Sequence, residues 1–480
     1  MKRTLFLLIL LSLPFLATAQ SDDDLFGGSD DALFGADDDL FGDDSISEVA
    51  DVSAKSDLSK GVIFDTGSIK IGGSLNAGIT TNTILYSPDD DKDDFGENVK
   101  NTTLTPDLSA LLSVDARPTE TLRLYTKFGF AYPFVDKTSA KLNMKNPNQP
   151  ELKLTIDDWF KLKELFTDFS YKDTAYFRFG IHTVTWGAGY FFSPVSDMIN
   201  SSSIDPEHPE KQVDGSLNLR TQIIIPNSQN CLWFYVIPST NFQNQTAQTY
   251  ARDTALAGKA DILIGNWELG VGGLYKYESA PKAMLTATGS LKKISFFGEL
   301  VYSYGAVSEW AKNTDWDDKT SIFQATAGFS YYWKEQKINL AAQYLFEGND
   351  KDFAANIGKM YQYGHNIALN VNKGDLFKNS NLSLNLFAMA NFGRKEATVD
   401  DMITLYPEMA AMAKTAPAQL EKAAKEASTA MPALTASLTL NYTPFNDVSF
   451  GLGPVLTFKD YETKPTTSLK FTATLGGGKF

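Results

Sequence analysis

The chain has 480 residues, enough for one large domain or several small ones. Its formal charge of −15 argues against nucleic-acid binding, which needs a basic stripe. Cys231 is the single cysteine, which excludes an intrachain disulfide and a cysteine–zinc cluster; His182, His208 and His365 are widely scattered, so neither a metal site nor a cofactor is expected.

Residues 1–19 read as an export signal. Lys2 and Arg3 form a positive start, Leu5 to Leu16 a short apolar core, and Ala17-Thr18-Ala19 a cleavage site before Gln20. The apolar run is too short for a spanning helix, and no run of spanning length follows it.

Residues 20–65 read as an acidic leader and linker. The near-repeat DDDLFG, DDALFG, DDDLFG begins at Asp22, Asp30 and Asp37. Ten aspartates and no basic residue between 20 and 44 leave too little apolar surface for a core, so disorder is expected. The plain reading is a solvated, self-repelling leader. The sharper one is three linear motifs, with Leu25-Phe26, Leu33-Phe34 and Leu40-Phe41 entering an apolar pocket on a periplasmic protein while the aspartates meet a basic rim. Residues 45–65 read as linker or as a short plug.

Residues 66–480 read as a barrel. Period-2 alternation marks eighteen strands: 67–86, 103–116, 119–133, 158–172, 175–191, 214–227, 230–240, 254–265, 267–279, 281–293, 294–306, 318–334, 336–348, 359–373, 378–393, 431–444, 447–459 and 463–479. Short connections such as Lys172-Asp173-Thr174, Gly265-Asn266 and Lys292-Lys293 alternate with longer ones, including 134–157 and 192–213. One rim of turns and one rim of loops, with an even count, is the layout of a transmembrane antiparallel β-barrel. Phe177, Phe179 and Ile181 face one way and Arg178, Gly180 and His182 the other; a barrel puts the first set in lipid and the second in the lumen. Tyr132, Tyr190, Tyr331 and Tyr363 lie near strand ends, where aromatic girdles belong. Residues 400–431 break the pattern; Ala, Met, Lys and Glu there predict a helical insertion in a loop, bounded by Pro407, Pro417 and Pro432.

A three-residue turn at 172–174 places Asp168 opposite Arg178, Glu164 opposite His182, and Phe166 over Gly180. Asp168 and Arg178 then either neutralise each other in the wall or join Arg123, Lys127, Arg220 and Glu164 in a transverse field that selects solutes. Gln222, Trp186 and Asp197 complete the expected channel lining. A catalytic reading is weak: Ser170 is far along the wall from His182.

Arg178-Phe-Gly180, then Trp186-Gly187-x-Gly189, then Ser193-Pro194-x-x-Asp197 resembles porin-like bacterial outer-membrane families, alginate-export-like barrels among them. The resemblance covers about forty residues. It implies an outer-membrane channel for small hydrophilic solutes. The final strand ending in Phe480 resembles the signal read by the barrel-assembly machinery. A hydrophobic-substrate transporter of the fatty-acid type, and an envelope tether or adhesin acting through the acidic repeats, are the alternatives.

Overall fold

The computed structural model describes residues 55–57, 62–88, 102–132, 159–172, 174–209, 211, 213–240, 246–312, 314–351, 361–405, 409–410, 412–428, 431–445 and 448–475. The signal segment, the acidic leader with its Leu-Phe pairs, and Phe480 lie outside the described residues.

Among the described residues, twenty strands form one antiparallel sheet. Two short ones come first, β1 (Lys55–Asp57) and β2 (Val62–Asp65). The wall begins with β3 (Ile69–Tyr86), β4 (Thr103–Thr119), β5 (Leu122–Ala131), β6 (Phe160–Tyr171), β7 (Ala175–His182), β8 (Ser216–Ile224) and β9 (Cys231–Ile237). It continues with β10 (Ala255–Ile264), β11 (Trp267–Tyr275), β12 (Lys282–Leu291), β13 (Ile294–Tyr304), β14 (Ser321–Trp333) and β15 (Ile338–Glu347). It ends with β16 (Gly364–Lys373), β17 (Leu382–Phe392), β18 (Leu434–Phe445), β19 (Val448–Phe458) and β20 (Thr466–Leu475). Each strand pairs with the next, and β20 pairs with β3, so β3–β20 close into an eighteen-stranded barrel with no free edge.

Alternation decides which side chains face out. Leu124, Leu165, Phe169, Phe179, Phe234, Leu256, Leu285, Ile367 and Leu452 are exposed on the outer wall. Their inward neighbours include Asp168, Arg178, Arg220, Lys259, Glu299, Gln343 and Asn366, all buried. A water-soluble surface rarely carries an apolar band of this extent; a hydrocarbon solvent requires it. The turns match their sequence. Gly265-Asn266 and Lys292-Lys293 each connect strands whose last pairs are Ile264↔Trp267 and Leu291↔Ile294. Gly265 (φ 62°) and Lys292 (φ 57°) supply the left-handed conformation such two-residue hairpins need.

Two regions refine the sequence expectation. β20 reaches β3 only from Ala77 to Tyr86, while Lys70–Gly72 pairs with β2. The end of the expected linker is thus part of the wall, extending it where the stagger of the barrel leaves the edge of β3 uncovered. The helical insertion is present as Val399–Leu405, Met412–Thr415 and Pro417–Ser428. Met402, Leu420 and Ala424 form their own small core there, packed by Val399, Ile403 and Ala423.

The fifth predicted strand, 175–191, needs correction: it ends at His182. Beyond it the backbone of Val184 bonds to a side chain instead of a strand. Its N–H donates to Asn200 Oδ1 and its carbonyl accepts from Asn200 Nδ2, both at 2.8 Å. That local pairing turns the chain off the wall, and the described residues of 183–215 fold into the barrel rather than standing outside it as the loop that 192–213 was expected to form.

Candidate functional site

The inward segment 183–215 is a strap. Several of its apolar residues are deeply buried: Val184, Phe191, Phe192 and Val195 are each at most 1% exposed. Trp186, Val195 and Ile199 pack with Tyr235, Ala257, Met284 and Val301 from β9, β10, β12 and β13. Phe191 and Phe192 pack with Ala341 and Leu345 of β15, Tyr361, and Ala368 and Phe387 of β16 and β17. Two aromatic-rich clusters therefore seat the strap against one half of the inner wall.

Polar contacts fix its path. Glu299 of β13 accepts from the N–H groups of Gly189 (2.7 Å) and Val195 (2.9 Å) and from Ser193 Oγ (3.0 Å). Gln343 of β15 accepts from Phe191 N–H at 2.7 Å and donates to the Phe192 carbonyl at 2.6 Å. Lys259 of β10 donates to the Trp186 carbonyl at 2.9 Å and pairs with Asp261 at 2.9 Å. Tyr361 donates its hydroxyl to Asp197 at 2.7 Å. Burial, first, and then the carboxylates of Asp197, Glu347 and Glu299 push the Tyr361 phenol well above its ordinary range, so it stays the donor. The glycines of the WGAG run have a reason here. A Cβ on Gly187 would lie 2.1 Å from the Glu299 carboxylate and 2.2 Å from Ser193 Oγ.

The strap also touches the other half of the barrel. Asp214, at its end, receives Lys163 at 2.8 Å and Lys161, both on β6. Glu207, at its tip, receives Lys470 of β20 at 2.7 Å. Burial pushes Asp214 and Glu207 upward, but hydrogen bonds from these lysines outweigh it, and both carboxyls are held below the usual carboxylate range.

The β6–β7 hairpin has the expected register, with Asp168 opposite Arg178 and Phe166 opposite Gly180. Asp168 is also opposite Arg123 of β5, and Arg178 opposite Arg220 of β8. Arg178 makes two bonds to Asp168, at 2.7 and 3.1 Å, and lies 3.9 Å over the Phe166 ring. Gly180, at φ 139°, has Phe166 Cα 2.6 Å from where a Cβ would stand. Arg123 forks onto Asp115 at 2.9 and 3.0 Å and is 3.7 Å from Asp168.

The strap sorts the expected lining residues. Arg123, Lys127, Glu164, Asp197 and Gln222 keep partial exposure. Asp168, Arg178, His182, Trp186 and Arg220 are buried, His182 completely, and present almost no surface to a solute. Glu164 and His182 form no ladder pair, although the register beside them is the expected one. Glu164 is opposite Lys127, which approaches it at 3.4 Å, while the β6–β7 ladder begins at Leu165↔Ile181 and His182 is opposite Ser216. Ser170 is opposite Tyr176, six positions along β7 from His182, or roughly 20 Å at strand rise, too far for a catalytic pair.

Sequence reasoning missed Glu299, Gln343, Lys259 and the lysines 161, 163 and 470. Alternation held the clue for one of them. Glu299 occupies an inward position in ISFFGELVYSY, where a lone carboxylate needs partners.

The buried side chains are unevenly placed. Among the described residues they lie on β6–β17, the strap and the helical insertion and its flank; on β3–β5 and β18–β20 only Ser468 and a few glycines are buried. The inner positions of that second sector, including Asn76, Thr80, Thr105, Asp107, Lys127, Lys470 and Thr472, are mainly polar and half-exposed or exposed, with Leu111 and Val455 as apolar members of the same face.

No family model and no curated protein matches the sequence. Solved structures similar in fold include the outer membrane channel DcaP of Acinetobacter baumannii, at 11% identity and TM-score 0.40, covering 86% of this chain and 98% of that one. The outer membrane protein opdK from Pseudomonas aeruginosa aligns at 8% identity and TM-score 0.45, covering 85% and 98%. Pseudomonas aeruginosa OccK11 aligns at 9% and 0.43, covering 85% and 95%. The architecture is a closed, eighteen-stranded antiparallel β-barrel.

Proposed function

We propose that this chain is an exported outer-membrane channel through which small hydrophilic solutes pass down their gradient. One observation carries the reading: the strap covers the inner faces of β6–β17 and leaves the polar inner faces of β3–β5 and β18–β20 accessible. Charges of both signs meet in matched pairs in and at the border of that sector: Arg123 with Asp115 within it, Lys127 with Glu164 of β6, and Lys470 with Glu207 of the strap. A lining of this kind favours weak selectivity by size and local field over strong rejection of either ion. An apolar substrate would find little to hold it along Asn76, Thr80, Thr105 and Asp107, which argues against the hydrophobic-transporter reading. Refolded protein in a planar bilayer tests the proposal. Stable single-channel steps with weak ion selectivity are expected; an intact, heat-modifiable barrel without conductance would reject it.

Export, the outer-membrane address and recognition of the C-terminal Phe480 by the assembly machinery belong to the same proposal and rest on the sequence. The three Leu-Phe pairs of the leader are proposed as docking motifs for a periplasmic protein, the feature a tether would use. A peptide of residues 20–46 that retains no periplasmic protein at micromolar concentration would remove that part.

A further inference from the structure

The strap is held in two different ways. Its root is fastened by buried contacts: Glu299 and Gln343 grip the backbone from Gly189 to Val195, and aromatic side chains fill the space around them. Its tip crosses to the far wall and meets it through an ion pair between partly exposed side chains, Glu207 at 44% and Lys470 at 31%. Asp205, His208 and Lys211 bond within the tip: the His208 and Lys211 N–H groups each donate at 3.0 Å, to the carbonyls of Asp205 and His208, and Lys211 pairs with Asp205 at 3.6 Å.

We infer that Glu207 and Lys470 form an acid-releasable latch that closes the strap against β20 and divides the lumen. The inference rests on the channel reading and adds regulation to it. Exposed ion pairs are weak, which a contact that must open requires, whereas the buried root stays fastened. The charged groups bearing on Glu207 are Lys470 from the wall and His208 and Lys211 from the strap. At the register positions beside Lys470, β3 offers Asn82 and β19 offers Gly453, neither of which titrates. Glu207 is the one acid among these groups, so its protonation is the charge change that breaks the pair. A carboxyl held below its usual range keeps the latch shut at neutral pH and through the ordinary glutamate range near ~4.3, and gives it up only below that.

Single-channel recording tests the latch. The wild type is expected to give steady current at pH 7 and to flicker between two levels below about pH 4. Glu207→Ala and Lys470→Met should flicker at pH 7 and lose the acid step, and the exchanged pair Glu207→Lys with Lys470→Glu should restore steady current. Steady current from Glu207→Ala at pH 7, or no acid step in the wild type, would overturn the inference. A second readout does not depend on conductance. A carbodiimide should join the Glu207 carboxyl to the Lys470 amine as an amide, water leaving with the urea, and mass spectrometry should find the joined peptides at pH 7. Lys470→Arg should abolish the link. A barrel that conducts nothing yet yields the link rejects the channel and keeps the latch; absence of the link rejects the latch.

Discussion

The Val195 N–H donates to the Glu299 carboxylate at 2.9 Å across 104 positions of sequence. Glu299 takes the Gly189 N–H and the Ser193 hydroxyl as well, so one carboxylate on the wall sets the turn that carries the strap over the lumen. Glu299→Gln keeps the shape but puts an N–H₂ where an acceptor is needed. Each buried donor left unsatisfied costs about 1–3 kcal/mol. The expected outcome is a strap that proteases cut in the otherwise folded barrel, and a channel with higher mean conductance.

Asp168 and Arg178 should behave as a structural pair. Both are buried, and removing one takes away the other's bidentate partner, at a cost of roughly 3–5 kcal/mol. Asp168→Leu and Arg178→Leu alone should lower the temperature at which the folded gel band is lost; together they should cost less than either. Reversal potential should change little in the double variant, because neither side chain reaches the accessible sector.

Ion selectivity should instead respond to Lys161 and Lys163. Both converge on Asp214, so replacing the two by Ala leaves one carboxylate without its cations beside the passage. The reversal potential in a salt gradient should move toward cation preference, and Asp214→Asn should move it the other way.

A pH effect is expected in the loop 305–320. Glu309 accepts from the Ala306 and Thr320 N–H groups, each at 2.9 Å, and from Thr320 Oγ1 at 2.6 Å. Burial raises its pKa, but these bonds outweigh that and hold the carboxyl below its ordinary range. The order it confers is complete above the ordinary glutamate pKa of about 4.3 and lost as pH falls through the depressed value. Limited proteolysis of this loop should be slow from pH 7 to 5 and rise only in stronger acid. Glu309→Gln should cleave faster at neutral pH and show no acid rise.

Gly187→Val places a branched side chain where Glu299 and Ser193 already stand. The barrel should still close, because its ladders do not include Gly187, but the strap should not seat. A normal heat-modifiable band with abnormal conductance is the expected combination.

Much of this was legible in the residues. Strand identity, count, and inner and outer faces follow from alternation, because a closed sheet in lipid leaves each side chain only two environments. The β6–β7 register followed from one turn, since a short hairpin loop determines every pair behind it. His365 faces outward, as the alternation along β16 requires: it is exposed and hydrogen-bonded with Tyr344 at 2.6 Å. The segment 183–191 misled because Val184, Trp186 and Tyr190 continue the apolar pattern of a strand; their burial is supplied by the barrel interior instead of lipid.

The sequence by itself therefore determined an eighteen-stranded wall with an apolar outside and a charged inside. Local periodicity and turn chemistry suffice for that, because each strand meets only its neighbours. The tertiary structure alone decided which inward residues a solute can reach. Contacts such as Glu299 with Val195, Gln343 with Phe191 and Lys470 with Glu207 join positions one to two hundred or more apart. No period in the chain encodes those distances. They arise when the barrel closes and its far wall comes within hydrogen-bonding reach of the strap, so Arg178 and Arg220 end up buried rather than on the accessible part of the inner wall.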